Sequence, residues 1–220
     1  MGSQKYPKFD NYMNMSSMFT TEELNMLSDR QFFINKNSIT EKLTGLLNEL
    51  SLKIEFEITS GNYLLPDEVI QSRPKISKGE NYLGFPWMVL DYPRVFKQHD
   101  TFAFRSLCWW GHEFSFTLQI GGCFLLKYKP LIVEMIQQLQ GRDLYICIND
   151  SPWNYHFTDD NFLLLDDFMK LEKEPKKWLE KRSFIKISKR SELTNISVVP
   201  LEGSDFFRLV ASLLLIKNAF

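Results

Sequence analysis

Two stretches of the chain alternate apolar and polar residues with a period of two, Thr101–Trp109 and Glu113–Ile120, on either side of Trp110-Gly111-His112. That spacing predicts a β-hairpin whose three-residue loop puts Gly111 in a left-handed conformation. Pairing Phe104 with Leu118 sets Phe102, Phe104, Ser106 and Cys108 beside Ile120, Leu118, Phe116 and Phe114, so the apolar residues share a face. The other face then carries Ala103, Arg105, Leu107 and Trp109 beside Gln119, Thr117, Ser115 and Glu113. Upstream, Phe85–Tyr92 is apolar on both faces and predicts a central strand ended by Pro93, while Arg73–Asn81 is a polar connection punctuated by Pro and Gly.

Helical spacing governs the flanks. Thr20 and Glu23 form a capping-box pattern ahead of Leu24 and Leu27. Ser28 with Gln31 and Ser38 with Glu41 offer two further starts before Ile39, Leu43, Leu46, Leu47 and Leu50, giving one long helix or two short ones. Residues 52–58 fit both a strand alternation and a continued helical stripe; continuity favours helix. Downstream, a helix over Leu131–Leu139 is opened by Pro130 and closed by Gly141. Then follow a strand at Leu144–Ile148, a helix at Asp159–Phe168, a strand at Phe184–Ser188, and a last helix capped by Ser204 that carries Phe206, Phe207, Val210, Leu213 and Leu214. The expected fold is α+β: an antiparallel sheet built around a central hairpin, covered by helices mainly on one side. Residues 1–19 form a loose tail and 20–220 a single domain.

Composition supports a packed core, with 44% hydrophobic and 15% aromatic residues including 19 Phe and 5 Trp in 220 residues. A net charge of -1 gives no global attraction to nucleic acid or to anionic membranes. The apolar-rich stretch Phe206–Ile216 is interrupted by Arg208 and too short to cross roughly 30 Å of hydrocarbon. Met1–Lys8 lacks the apolar run of a signal peptide, and Tyr6 breaks the myristoylation pattern. Three cysteines without a CxxC pair fit a reducing, cytoplasmic setting.

Familiar catalytic signatures are missing: there is no GxSxG, GxGxxG or GxxxxGK[ST]. His112-Glu113 begins like HExxH, but Phe116 occupies the second histidine's place. His99, His112 and His156 could meet around a metal, but unrelated surface or hydrogen-bonded histidines are the preferred reading; no metal or cofactor is expected. Cys108 lies near His112, but the hairpin register puts it on the apolar face. Asp159-Asp160 and Asp166-Asp167, about 10 Å apart along a helix, are too distant to chelate one ion. Lys170–Arg190 carries a local net charge of +6 with Trp178 and Phe184 interleaved, the look of a nucleic-acid surface, yet such runs are more often solvated helix edges, so nucleic acid is not the expected partner.

The most specific block is Lys75-Ile-Ser-Lys-Gly-Glu-Asn-Tyr-Leu-Gly-Phe-Pro-Trp-Met-Val-Leu-Asp-Tyr-Pro-Arg94, continued by Phe104-Arg105 and Trp109-Trp110-Gly111-His112. This block resembles a family of uncharacterised bacterial proteins of similar length, over most of the chain. The resemblance implies a single bacterial cytosolic domain and transfers no chemistry. Physically, the block gathers Lys75, Lys78, Arg94 and Arg105 with Trp87, Tyr92, Trp109 and Trp110, the makings of a pocket for a small planar or anionic ligand. The plain alternative has the aromatics in the core and the cations paired with Asp91 and Glu113. The expected function is therefore a non-catalytic binding or interaction module with ligand-binding residues Arg105, Trp109, His112, Glu113, Trp87, Tyr92 and Arg94. In that arrangement Glu113 holds the Arg105 guanidinium and Trp109 flanks it. The alternatives are an enzyme that binds an anionic substrate through Arg105 and moves a proton with Glu113 or His112, and nucleic-acid contact through residues 170–190.

Cys108, Cys123 and Cys147 are expected to be reduced. Intact protein prepared without reductant should have the fully reduced mass; a deficit of two hydrogens per bridge would contradict this.

Overall fold

The structure, a computed structural model, describes residues 19–61 and 63–214. The chain divides into two compact units between Lys42 and Leu43. In the first, helix α1 (Thr21–Ser28) begins with the expected capping box: Thr20 Oγ1 accepts from Glu23 N at 3.1 Å, and Glu23 Oε2 accepts from Thr20 N at 2.7 Å. Helix α2 (Arg30–Ser60) follows as one continuous helix, so neither serine start is used. Asp29 Oδ1 instead accepts from Phe32 N at 3.0 Å. Residues 52–58 are helical, with Ile54 and Ile58 buried.

The second unit is an α+β fold around a seven-stranded, wholly antiparallel sheet. Its strands are β1 (Lys75–Tyr82), β2 (Phe85–Phe96), β3 (Thr101–Trp109), β4 (Glu113–Gly121), β5 (Leu144–Cys147), β6 (Phe162–Leu164) and β7 (Phe184–Ser191), in the order β1-β2-β3-β4-β7-β5-β6. The hairpin register is the one that the alternation predicts, Phe104 opposite Leu118, and Gly111 turns the loop at φ 75°. The polar stretch at 73–81 is corrected: it is mostly the edge strand β1, whose lysines suit an edge that must stay unpaired on one side. Pro93 does not end β2 either. It sits, after a cis peptide bond, within an irregularity between Asp91 and Arg94, and pairing with β3 resumes beyond it.

One sheet face supplies Met88, Leu90, Phe102, Phe104, Phe114, Phe116, Leu118, Ile120, Ile185 and Ile187 to the main core. Against it pack Leu43, Leu47, Leu50, Ile54 and Ile58 of α2, Val69 of the single-turn α3 (Asp67–Ile70), helix α4 (Cys123–Met135), α5 (Leu165–Leu171), Leu179 of α6 (Pro175–Lys181), and α7 (Val199–Ser212). Three helix starts differ from expectation. Helix α4 begins just after Gly122, with Cys123 N donating to Asp100 Oδ1 at 2.8 Å, and Pro130 lies inside it. The segment Asp159–Phe168 is a turn, then β6, then the start of α5. Helix α7 opens at Val199 with Pro200 in its first turn, leaving the Ser204 hydroxyl to donate to Leu201 O at 3.0 Å. Phe206, Phe207, Val210, Leu213 and Leu214 are all buried as expected; Ile216 and residues 1–18 lie outside the described residues.

Phe207 meets Phe104 edge-on at 5.2 Å and Tyr63 at 6.2 Å, so it fastens α7 to the sheet. Phe207→Ala should cost about 3–5 kcal/mol in denaturant titration. Leu201→Ala, at an exposed position of the same helix, should stay within about 0.5 kcal/mol.

Candidate functional site

The opposite sheet face is polar and nevertheless buried. Ser115, Thr117 and Gln119 of β4 and Lys186 and Ser188 of β7 are each 0–2% exposed. Their cover is the non-regular segment 148–161 between β5 and β6, here called the strap. Because buried polar groups need partners, the strap meets Gln119 and Lys186 through specific bonds, while the Tyr155 ring also packs on the apolar Val89, Leu107 and Trp109. Tyr155 donates its hydroxyl to Gln119 Oε1, and Lys186 Nζ donates to Asn154 O at 2.5 Å and Pro152 O at 3.4 Å. Tyr82 Oη accepts from Tyr155 N at 2.8 Å and His156 N at 3.2 Å, tying the strap to β1. Arg182 donates to Asp150 at 2.7 Å and to Asn149 O.

Where the strap's cover runs out over β1–β3, a cavity of about 530 Å³ remains. The register puts Asp91 of β2 directly opposite Arg105 of β3. Arg105 donates Nε to Asp91 Oδ1 at 2.7 Å and Nη2 to Oδ2 at 2.9 Å, a two-pronged ion pair at the cavity wall. The Tyr155 ring lies 4.4 Å from the guanidinium carbon and Phe96 lies 5.8 Å from it. Among the described residues no protein acceptor takes the Nη1 hydrogens. Burial is the largest single influence and works against the charged form of Arg105, but the Asp91 bond together with the attraction of Tyr155, Asp91 and Tyr82 outweighs it and leaves the pKa raised. Trp87, Trp153, Tyr82, Lys75 and Arg94 complete the wall, with the Arg94 Nε held by Arg73 O at 3.1 Å. The Trp87 indole lies across Gly79, where even a Cβ would come within 2.6 Å of Nε1.

Of the residues expected at one site, Arg105, Trp87 and Arg94 are brought together; the others are not. Tyr92 belongs to the main core on the helix side, because one residue along a strand reverses the face. Trp109 is buried beside Val89, Leu107 and Tyr155, donating Nε1 to Tyr82 O at 3.0 Å, and does not line the cavity. Glu113 does not hold Arg105: it accepts from Arg190 Nη2 at 2.6 Å in a separate hollow with His112 and Tyr145. His112 stacks on Trp109 at 3.6 Å. Lys78 and Trp110 also lie off the cavity wall. Tyr155, Trp153 and Phe96 were missed, while Arg105 takes the Asp91 partner that the plain alternative offers and Glu113 goes to Arg190. Ser151-Pro-Trp-Asn-Tyr-His156 does carry a signal, two large aromatics in a Pro-containing turn between strands.

His99, His112 and His156 do not gather, and among the described residues no group of three or more His, Cys, Asp or Glu could hold a metal ion. Cys108 and Cys147 are buried, and burial pushes the Cys108 thiol up to about 12. Cys123, expected on an apolar pattern, is exposed. The basic run is divided among α5, α6 and β7, with Lys170, Lys177, Arg182 and Arg190 paired to Asp167, Glu174, Asp150 and Glu113, and Lys186 buried. Among the described residues no helix is long and apolar enough to cross a membrane. No family model matches the chain, and neither a curated protein nor a solved structure does.

Among the described residues Lys186 has no carboxylate partner, and it sits 4.6 Å from the Tyr155 ring centroid; burial pushes its pKa down to about 8. Below pH 8 the ammonium is charged in both folded and unfolded chains, at a cost of about 3 kcal/mol relative to the neutral amine. Between pH 8 and 10.5 only the unfolded chain holds that proton, so this group's contribution to stability rises with pH there. Subtracting a Lys186→Met variant's stability–pH curve from the parent's should isolate that rise; parallel curves from pH 7 to 10 would contradict it.

Proposed function

We propose that the protein is a non-catalytic binding module that holds a small anionic ligand with a planar part in the cavity between β1–β3 and the strap. One observation carries this reading: the wall combines the cations Lys75, Arg94 and Arg105 with Trp87, Trp153, Tyr82 and Tyr155, against a single carboxylate, Asp91, already engaged by Arg105. A surplus of positive charge favours an anion, and the aromatic walls favour a flat group beside it. The Arg105 guanidinium is fixed by Asp91 before any ligand arrives, which lowers the ordering cost of binding. A volume of about 530 Å³ suits a metabolite-sized molecule.

Binding is favoured over turnover because Glu113 and His112, the proton-transfer candidates, line a different hollow from Arg105. Pairing of Lys170, Lys177, Arg182 and Arg190 and burial of Lys186 take up five of the nine cations at 170–190, which likewise favours a small anion over nucleic acid. A bacterial origin and a cytoplasmic location belong to the same reading, supported by the resemblance of the 75–112 block to bacterial proteins and by the unpaired thiols.

Thermal-shift screening with planar carboxylates and aryl phosphates, read alongside quenching of Trp87 and Trp153 fluorescence, tests the reading. At least one such probe should raise the melting midpoint and quench. A Lys75→Ala, Arg94→Ala double variant should weaken that binding about 10- to 100-fold with the fold intact, the loss expected for charge-assisted bonds. Absence of any binding anion, or binding that ignores the double variant, would remove the proposal.

A further inference from the structure

Helix α1 buries none of its residues, yet carries Leu24, Met26 and Leu27 at 44%, 68% and 64% exposure. At eight residues it is shorter than the roughly 12–15 at which an isolated helix becomes even marginally stable, and one capping box does not make up the difference. Some surface has to cover it. In the same unit Phe32, Phe33 and Ile34 open α2 with 55%, 44% and 59% exposure, and the Phe32 and Phe33 rings meet edge-on at 5.2 Å. Phe19, Met26, Leu27, Phe32 and Phe33, with Glu23 and Asp29, line an apolar groove of about 450 Å³.

Area and charge both point to the occupant. At ~150–200 Å² per fully exposed side chain of this size, the apolar groove residues Phe19, Met26, Leu27, Phe32 and Phe33 together leave on the order of 500 Å² in water. That lies at the upper end of the ~300–600 Å² usual for the largest apolar patch on a monomer, and it matches the apolar share, a little over half, of the ~800 Å² that each partner contributes to a standard stable interface. Acidic charge gathers at α1 on Glu22 and Glu23 and just after it on Asp29, while Arg30, Lys36 and Lys42, against Glu41 alone, follow along α2 as far as Lys42. A segment with both signs set side by side complements its own copy turned about a two-fold axis better than it complements a strongly charged partner.

We propose that Phe19–Lys42 is a homodimerisation element in which two copies set α1 and the start of α2 against each other as a four-helix contact. The acidic α1 of each copy then faces the basic start of α2 of the other. The surface is independent of the ligand cavity, whose lining residues all come from the unit that begins at Leu43.

Light scattering coupled to size exclusion, on the full chain at micromolar concentration, should give twice 26.0 kDa. A Leu27→Asp, Phe33→Asp double variant should run at 26.0 kDa with its sheet signals unchanged. Phe56→Asp serves as the control, since Phe56 is 67% exposed on the part of α2 that lies in the other unit, and it should remain dimeric. Should the double variant fail to fold, Arg30→Glu replaces it: it sets an acid opposite the acidic α1 of the other copy and should shift the chain toward 26.0 kDa. A parent chain at 26.0 kDa across the concentration range overturns the proposal, including the case where residues 1–18 cover the groove. So does a dimer that survives the double variant or, where that variant fails to fold, one that Arg30→Glu leaves unweakened.

Discussion

Strand β4 is buried at all nine positions from Glu113 to Gly121, and its two faces are chemically opposite. Phe114, Phe116, Leu118 and Ile120 are covered by helices, which demands only shape and apolarity. Ser115, Thr117 and Gln119 must be covered by something that can bond to them, because an unpartnered buried polar group costs about 1–3 kcal/mol. Thr117 finds the Ser188 hydroxyl at 2.7 Å across the β4–β7 ladder, and Gln119 finds Tyr155. An aperiodic segment rich in free backbone carbonyls suits this task better than a helix, whose carbonyls are already used. The strap's irregularity and the buried polar face are thus two sides of one constraint.

The charged groups on this face follow from it. Lys186 can lie in the interior because the strap offers carbonyls to its ammonium and the rings of Tyr155, Phe162 and Phe184 surround it. Arg105 is placed between Asp91 and Tyr155 by strand register and by the strap together. Charges held this way add little net stability, but they fix one arrangement of strap on sheet, since any slip would leave a buried charge without its partner. The cavity inherits that fixity, because Tyr155 and Trp153 are strap residues and the Tyr155 hydroxyl is anchored in β4.

Local pattern made the hairpin register legible because a period of two, heavily weighted with Phe, leaves only one pairing that buries the aromatics together. The stripe from Leu43 to Ile58 was legible for the same reason. What escaped was specified by distant partners. The α4 start depends on Asp100, 23 residues upstream of Cys123, so Pro130 was the nearest local signal and misled. β1 escaped because an edge strand facing a cavity has polar residues on the side where a core strand would alternate. At the site, the cations and Trp87 were readable as a cluster, but the choice between Asp91 and Glu113 for Arg105 was not. Glu113 shares the arginine's face but stands opposite Trp109, four residues along from Thr117, and goes to Arg190 of β7; Asp91 becomes the partner through the pairing of β2 with β3, which the local pattern leaves open.

Gly79 has no side chain, and the indole of Trp87 fills the space one would need. The position of a cavity wall is therefore set by an omission in the neighbouring strand, on an edge with no further strand to resist displacement. Any residue larger than glycine there would push the indole aside and reshape the chamber without altering one of its charged groups. The dimensions of the cavity and the charge of its wall are consequently written at separate positions, so one could drift in evolution while the other stayed unchanged.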